Sequence, residues 1–504
     1  MGNPRVTIVV VPRERFSYAE RTLGSIYEHT TLPFKLVWVS AGTPRRMHRR
    51  LELESEQRGF QLIHTPRYLS PNQARNLGLR AVDTEYVAFL DNDALVTPGW
   101  LEALVRCAEE TTAWVVGPLY LIGNPRRGII HMAGGTLRIR EENGRRVLHD
   151  EQNLFETPLS AVSEALRRQP WDYVEFHCML VRTDVFEHLG PLDEALLSHH
   201  EHLDICLGVR RAGGLVYMEP SAVTSYVPPS PRVWWDLPYF MLRWSEAWNL
   251  ATIRHFNEKW DVSTVRFFTD QPEADPEDTV ARWARGHRRL MAGLRVRSEA
   301  TEDWPELPSE QAELMVAMFL AVDRSRFELL FATDNGRIVA PDVARDPQAT
   351  LERLPDALRE AEGRDLNLMI RPLPDGRPNQ PALVRLDDLD AERARAVQPH
   401  AFLTLETNPG RYQCWLAVAR GGWRGEAALA RLVGGADLAA GDGAGRTRDA
   451  GPVAGSRRAG SRHLATDAAC PRVRLVEAVA GHLTTPHQLE RSEVVDCLGA
   501  AHLC

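Results

Sequence analysis

The stretch 72–104, NQARNLGLRAVDTEYVAFLDNDALVTPGWLEAL, constrains the fold of this chain more than any other. Ala74, Leu77, Ala81 and Val82 recur at helical spacing, so its first third predicts an amphipathic helix. Residues 86–90 form a short apolar run with Tyr86, Val87 and Phe89, the composition of a strand buried on both faces. The run ends in Asp91-Asn92-Asp93. Thr97 then offers a helix N-cap and Pro98 a first helical residue, and Trp100, Leu101, Leu104, Val105 and Ala108 mark one apolar face. Two carboxylates therefore fall at the carboxyl end of a buried strand, where open α/β sheets bind ligands. Acids this close repel unless a cation lies between them, and an Asp-x-Asp turn suits a hard divalent ion that shares its coordination with phosphates. The plainer alternative for Asp91 and Asp93 is helix capping or solvation.

Upstream, strands alternate with helices. Residues 6–11 predict a first strand, closed by the polar turn Pro12-Arg13-Glu14-Arg15. Ala19, Leu23, Ile26 and Tyr27 mark a helix, 34–40 a second strand ending at Ala41-Gly42-Thr43, 45–50 the basic start of another helix, and 60–64 a third strand. This alternation predicts a parallel sheet with helices on both faces. The apolar run at 6–11 is too short for a signal peptide, and no run of 18 apolar residues occurs, so the expectation is a cytoplasmic protein without a transmembrane segment. Seven irregularly spaced cysteines fit a reducing compartment, and a net charge of −8 over 504 residues excludes a globally basic nucleic-acid binder. The length predicts two or three domains.

Farther on, the polar sequence around Gly134-Gly135 predicts loops. Residues 171–182 (WDYVEFHCMLVR) predict a strand, and Val185, Phe186 and Leu189 a helix. The segment 198–204, SHHEHLD, opens a further helix that stops at Gly213-Gly214. Three readings stay open: a zinc site, although the spacing of its three histidines and two acids matches no standard ligand pattern, a dipole-favoured helix start, or catalysis. Trp234, Trp235, Trp244, Trp248, His255 and Trp260 mark an aromatic-rich helix, read as packing, with a stacking platform for a ligand as the alternative.

The motifs VTIVVVPRERF, NQARNLGL, DND, PGWLEAL and EHLDICLGVRRAGG follow one another in an order that resembles a family 2 glycosyltransferase of the GT-A fold over about 1–260. The resemblance implies a Rossmann-like mixed sheet between helices. It also implies inverting, metal-dependent transfer of a sugar from a nucleotide-diphospho-sugar to the hydroxyl of a glycan or other acceptor. Pro12, Arg13, Glu14 and Ser40 would then hold the nucleotide, with Arg75, Asn76 and Asp91 near the nucleotide-sugar. Asp91 and Asp93 would hold Mg²⁺ or Mn²⁺ against the diphosphate. The EHLD segment occupies the position of the family's catalytic acid, so Glu201 or Asp204, with His202 as a third choice, would deprotonate the acceptor. The family's second strand often ends in an Asp-x-Gly-Ser turn. Here the turn is Ser40-Ala41-Gly42-Thr43, and the nucleotide stays unassigned among UDP, GDP and dTDP.

The catalytic domain is expected over 1–262, followed by a linker over 263–304. Acidic, proline-containing sequence at 271–278 opens that linker, and the basic helix RWARGHRRLMAGLRVR at 282–297 continues it. The basic helix is either a solvated connector or a contact for anionic lipid, at a membrane periphery, or nucleic acid. A second domain is expected over 305–480, with a tail at 481–504. NLMIRP, LVRLDDLD and TLETNPGRYQCWLAV resemble, in order, the primase-like α+β domain of plasmid replication proteins, of the archaeo-eukaryotic primase type. That resemblance implies metal binding at Asp387 and Asp388 and a nucleic-acid partner. Gln413 stands where polymerising members often carry a histidine. The alternative function is therefore a primase-like replication protein in which the C-terminal domain carries the activity. Residues 436–461 show hardly any apolar periodicity and are expected to be poorly ordered.

Overall fold

The computed structural model describes residues 3–228, 233–264, 275–291, 293–297, 307–333, 337–374, 380–419, 474–480, 482–483 and 501–503. The chain forms two compact units, Met1–Leu294 with Asp346–Glu352, and Arg295–Arg345 with Arg353–Cys504. The stretch 436–461 and most of the tail lie outside the described residues.

The first unit opens with β1 (Val6–Val11), α1 (Ala19–His29), β2 (Phe34–Ala41), α2 (Arg45–Arg58), β3 (Gln61–Thr65), α3 (Pro71–Leu79) and β4 (Tyr86–Asp91). These strands pair in parallel in the order β4-β1-β2-β3, as their alternation with helices requires. Every residue of β1 and β4 is buried, which explains their unbroken apolar runs. A capping box starts α3, with Ser70 Oγ accepting from Gln73 N–H and Gln73 Oε1 accepting from Ser70 N–H. Inside α3, a Cβ built on Gly78 would sit 2.4 Å from Val9 Cγ1, so glycine lets this helix press onto β1. Gly78→Ala is accordingly expected to cost about 1–3 kcal/mol, measured as a lowered urea midpoint.

Next come β5 (Ala94–Val96), α4 (Trp100–Thr111), β6 (Val115–Ile122), β7 (Ile130–Met132), the hairpin β8 (Gly135–Glu142) and β9 (Arg145–Gln152), and the single turn α5 (Leu159–Val162). They are followed by β10 (Gln169–Pro170), β11 (Cys178–Arg182), α6 (Val185–Leu189), α7 (Glu201–Arg211), β12 (Val216–Tyr226), α8 (Leu237–Arg243) and α9 (Glu246–Trp260). Here the sheet becomes mixed, because β11 lies antiparallel between β4 and β6 while β12 runs parallel to β6. The strand expected over 171–182 forms only from Cys178. Residues before it pass the carboxyl end of β4, where Asp91 N–H donates to His177 O. Thr97 does not cap α4. Its N–H and Oγ1–H both donate to Val223 O, and Gly99 in the left-handed region starts the helix instead.

The expected aromatic helix is broken in two at Trp244-Ser245, where Ser245 Oγ caps α9 by accepting from Trp248 N–H. Trp244 and Trp248 are buried, as packing residues should be. The basic helix expected in the linker is Pro276–Arg289, and it folds into the first unit. Val280, Ala281 and Ala284 are buried, Arg285 Nη1 donates to Glu246, and Arg288 Nη1 donates to Trp244 O. Apolar burial and neutralised arginines leave little of a solvated connector.

The second unit contains β13 (Arg295–Arg297), β14 (Arg326–Ala332), β15 (Ile338–Pro341), β16 (Asn367–Leu373), β17 (Ala382–Leu389), β18 (Leu403–Asn408), β19 (Arg411–Val418), β20 (Arg474–Val479) and β21 (Ala501–Leu503). They form an antiparallel sheet in the order β13-β20-β18-β19-β17-β21 and a smaller one in the order β15-β14-β16. With the buried helix Pro308–Ala321 this is an α+β arrangement. Among the described residues, no helix is long and apolar enough to cross a membrane.

Candidate active site

Parallel pairing of β1 and β4 sets Val11 beside Asp91, so the turn after β1 meets the acidic tip of β4. Arg13 N–H donates to Asn92 Oδ1 at 3.1 Å, fixing that turn. The Arg13 side chain then spans two acids: Nη1 donates to Glu201 Oε1 at 2.8 Å, and Nε lies 3.5 Å from Asp91 Oδ2. Arg75, from α3, mirrors it. Its Nη2 donates to Asp91 Oδ1 at 3.0 Å and its Nη1 lies 3.7 Å from Glu201 Oε1. The Arg75 guanidinium also rests 3.8 Å from the centroid of the Phe176 ring. Two cations and two anions, all but buried, alternate here, which is what makes their desolvation tolerable.

The two aspartates of the tip are not equivalent. Asp91 Oδ2 takes a third partner, His177 Nδ1 at 3.0 Å. Burial would raise the Asp91 pKa, but His177, Arg75 and Arg13 together hold it below the ordinary value. Asp93 is fully buried, and neither of its carboxylate oxygens has a hydrogen-bond partner. Burial, then Asp91 and Glu14, push its pKa well above the ordinary value. A buried carboxylate without a donor is what a hard divalent cation satisfies, so the donor set here fits Mg²⁺ or Mn²⁺.

Glu14 accepts from Tyr226 OH at 2.7 Å and lies 3.7 Å from Arg243. Arg243, at the end of α8, is fully buried, and none of its three guanidinium nitrogens makes a hydrogen bond. Such unspent donors suit an anion. Reading the sequence missed Arg243, because its only signal is an arginine inside an aromatic run. His131, Glu175 and His177 were missed as well; the Glu-x-His doublet before β11 was the available clue.

Other expected residues spend their bonds elsewhere. Ser40 is fully buried and its Oγ pairs with His48 Nδ1 at 2.9 Å. Asn76 is tied to Leu192 and Glu194. The Pro12 carbonyl accepts from Tyr239 OH at 3.4 Å. Asp204 turns to α9, accepting from Trp260 Nε1 and Lys259 Nζ. The His202 ring lies 5.7 Å from that of Tyr173, and burial lowers its pKa. His199 and His200 meet each other through their Nδ1 atoms at 2.8 Å, and burial lowers the His200 pKa to about 3. Of the acids in this segment, Glu201 alone enters the arginine network around Asp91. In the second unit, Asp387 bonds Arg385 and Gln413, while Asp388, at φ +58°, bonds Arg411. Each of these two acids is thus neutralised by its own arginine, at a register shift in β17.

Residues 7–190 match the family model described as glycosyl transferase family 2, and this part of the first unit is similar to that family. The chain is 27% identical over 167 residues to a pre-mycofactocin glycosyltransferase of Mycobacterium tuberculosis, covering 33% of this chain and 32% of that protein. It is 28% identical over 199 residues to the O-antigen biosynthesis protein RfbC of Myxococcus xanthus, covering 38% of this chain and 15% of that protein. The chain thus spans about a third or less of the length of these curated relatives. The crystal structure of GalNAc-T7 with UDP, GalNAc and Mn²⁺ aligns with a TM-score of 0.36 at 14% identity, over 53% of this chain and 56% of that one, too slight an overlap to argue from.

Proposed function

We propose that this protein transfers a sugar from a nucleotide-diphospho-sugar to an acceptor hydroxyl with inversion, and that it needs a divalent metal to do so. The observation that carries the proposal is the partnerless, buried carboxylate of Asp93 beside a fully paired Asp91. Asp93, with Asp91 behind it, would hold Mg²⁺ or Mn²⁺. A bound ion supplies the positive charge that neutralises the departing nucleoside diphosphate.

The chain's own groups do the rest. Arg243 and Arg13 offer guanidinium donors to the diphosphate. Glu201 takes the proton as the acceptor oxygen bonds to the anomeric carbon and the bond from that carbon to phosphate breaks. Burial opposes ionisation of Glu201, but Arg13, Arg75 and Arg243 hold its pKa below the ordinary value, so it is ionised as a base must be. A diphosphate competes for Arg13, and losing that partner strengthens Glu201 as a base when the donor binds. Asp204 ties α7 to α9. Asp204→Asn is therefore expected to cost about 1 kcal/mol of stability while turnover stays within a few-fold of wild type.

The test is metal-dependent release of nucleoside diphosphate from a panel of nucleotide sugars. Mn²⁺-dependent release in the wild type and none in Asp93→Asn supports the reading. Equal release by both, or release indifferent to EDTA, overturns it.

A further inference from the structure

Around His177, which bonds the Asp91 oxygen that Arg75 does not, three side chains from two separate parts of the chain converge. His131 stands on β7, and Glu175 and His177 lie in the segment that leads into β11. Glu175 Oε2 is 3.0 Å from His131 Nε2 and 3.5 Å from His177 Nε2. One ligand atom from each residue lies within 4.8 Å of the other two, the only such trio of His, Cys, Asp or Glu among the described residues. Zinc bonds of about 2.0–2.1 Å in a tetrahedral site place ligand atoms about 3.3 Å apart, close to the two spacings found here. We propose that His131, Glu175 and His177 form a second cation site, separate from Asp93, for a transition-metal ion of the zinc class.

The surroundings are those of a built site. His177 Nδ1 pairs with Asp91 Oδ2 at 3.0 Å, so the Nδ1–H tautomer is held and the Nε2 lone pair faces Glu175. This is the carboxylate–histidine–metal arrangement that orients metal-bound imidazoles. Gln152 Nε2 donates to Glu175 Oε1 at 2.8 Å, which turns Oε2 toward the two rings. The His177 ring is stacked on Tyr226 with centroids 4.2 Å apart, which keeps it from swinging away. Glu175 Oε2 is buried and makes no aligned hydrogen bond despite its two near neighbours, and His131 Nδ1 is likewise buried without a partner. Two imidazoles and one carboxylate favour Zn²⁺, Co²⁺ or Ni²⁺ over Mg²⁺, whose preference is for oxygen throughout. The His131 side chain keeps 14% of its surface exposed, the most of the three, and gives the ion a way in and an open coordination position. Through His177, a bound ion would also fix the orientation of Asp91.

The proposal is tested on the full chain, stripped with chelator and titrated with Co²⁺ without any nucleotide sugar, so its outcome is independent of whether glycosyl transfer is found. A visible ligand-field band saturating at one equivalent is expected in the wild type and in Asp93→Asn, and its loss is expected in His131→Ala. Gln152→Ala, which keeps all three ligands, is expected to weaken binding about 10- to 100-fold and serves as the readout if His131→Ala does not fold. Absence of the band in the wild type overturns the proposal. Its survival in both His131→Ala and Glu175→Gln, or its loss in Asp93→Asn, overturns it too. A merely structural ion pair between His131 and Glu175 would bind no cobalt.

Discussion

Asp93→Asn is expected to lower sugar-nucleotide turnover by about three orders of magnitude, because a metal-bound charge on the leaving diphosphate is worth several kcal/mol in the transition state. The same variant should be more stable than the metal-free wild type at pH values above the raised pKa of Asp93. Asp93 has a raised folded-state pKa, so the stability its proton contributes is fully present below the unfolded pKa and is lost as pH rises through the folded one. Above that raised pKa the metal-free protein carries a buried carboxylate without a hydrogen-bond partner, a burden of about 1–3 kcal/mol that the amide relieves in part. Three melting curves check this. Wild type without metal should melt progressively lower relative to Asp93→Asn as the pH rises through the raised pKa, and the gap should close below it. Mn²⁺ should raise the wild-type melting temperature and leave the variant's where it was. If Mn²⁺ stabilises both proteins equally, Asp93 is not the ligand.

Glu201→Gln is expected to lower kcat by about 10²- to 10⁴-fold, the range for loss of a general base. The donor KM should not rise, since Arg13 loses its 2.8 Å partner and becomes freer for a diphosphate. Stability should fall, because the change removes one anion from a buried four-membered cluster. Breaking a buried pair costs about 3–5 kcal/mol, and the low end applies here because Asp91 still faces both Arg13 and Arg75. The Glu201 pKa is depressed, so its contribution to stability is present above the unfolded value and is lost as pH falls through the folded one. Wild type should therefore lose its advantage over Glu201→Gln only under strongly acidic conditions. Near-normal kcat in Glu201→Gln with a collapse in Asp204→Asn would assign the base to Asp204.

Much of the first unit is legible from the chain alone because its signals are local. The apolar runs that became β1, β2 and β4 and the 3.6-residue periodicity of α1 and α4 need nothing beyond neighbouring residues, whereas in α3 the expected Ala81 and Val82 fall past its end and Leu77 is only half-buried. The same holds for the position of Asp91 and Asp93 at a strand tip and of Glu201 at a helix start. Local signals also misled. Thr97 has the chemistry of a cap, but its hydroxyl and N–H both donate to Val223 O in β12 instead. Residues 171–177 look like strand, yet in the fold they pass the end of β4.

The division of labour inside the site was decided only by tertiary structure. Asp91 and Asp93 are two positions apart and chemically identical, so no pattern distinguishes them. Asp91 is spent on Arg75 and on His177, 86 positions away, whereas Asp93 received no partner. Glu201 and Asp204 begin the same helix, but one faces Arg13, 188 positions upstream, and the other faces Lys259 and Trp260. The buried guanidinium of Arg243 and the meeting of His131, Glu175 and His177 likewise exist only once the sheet has closed. Periodicity reports which side of an element is buried. Which charge a buried acid meets depends on chain segments far away, and that contact sets whether it is paired, free for a metal, or poised to take a proton.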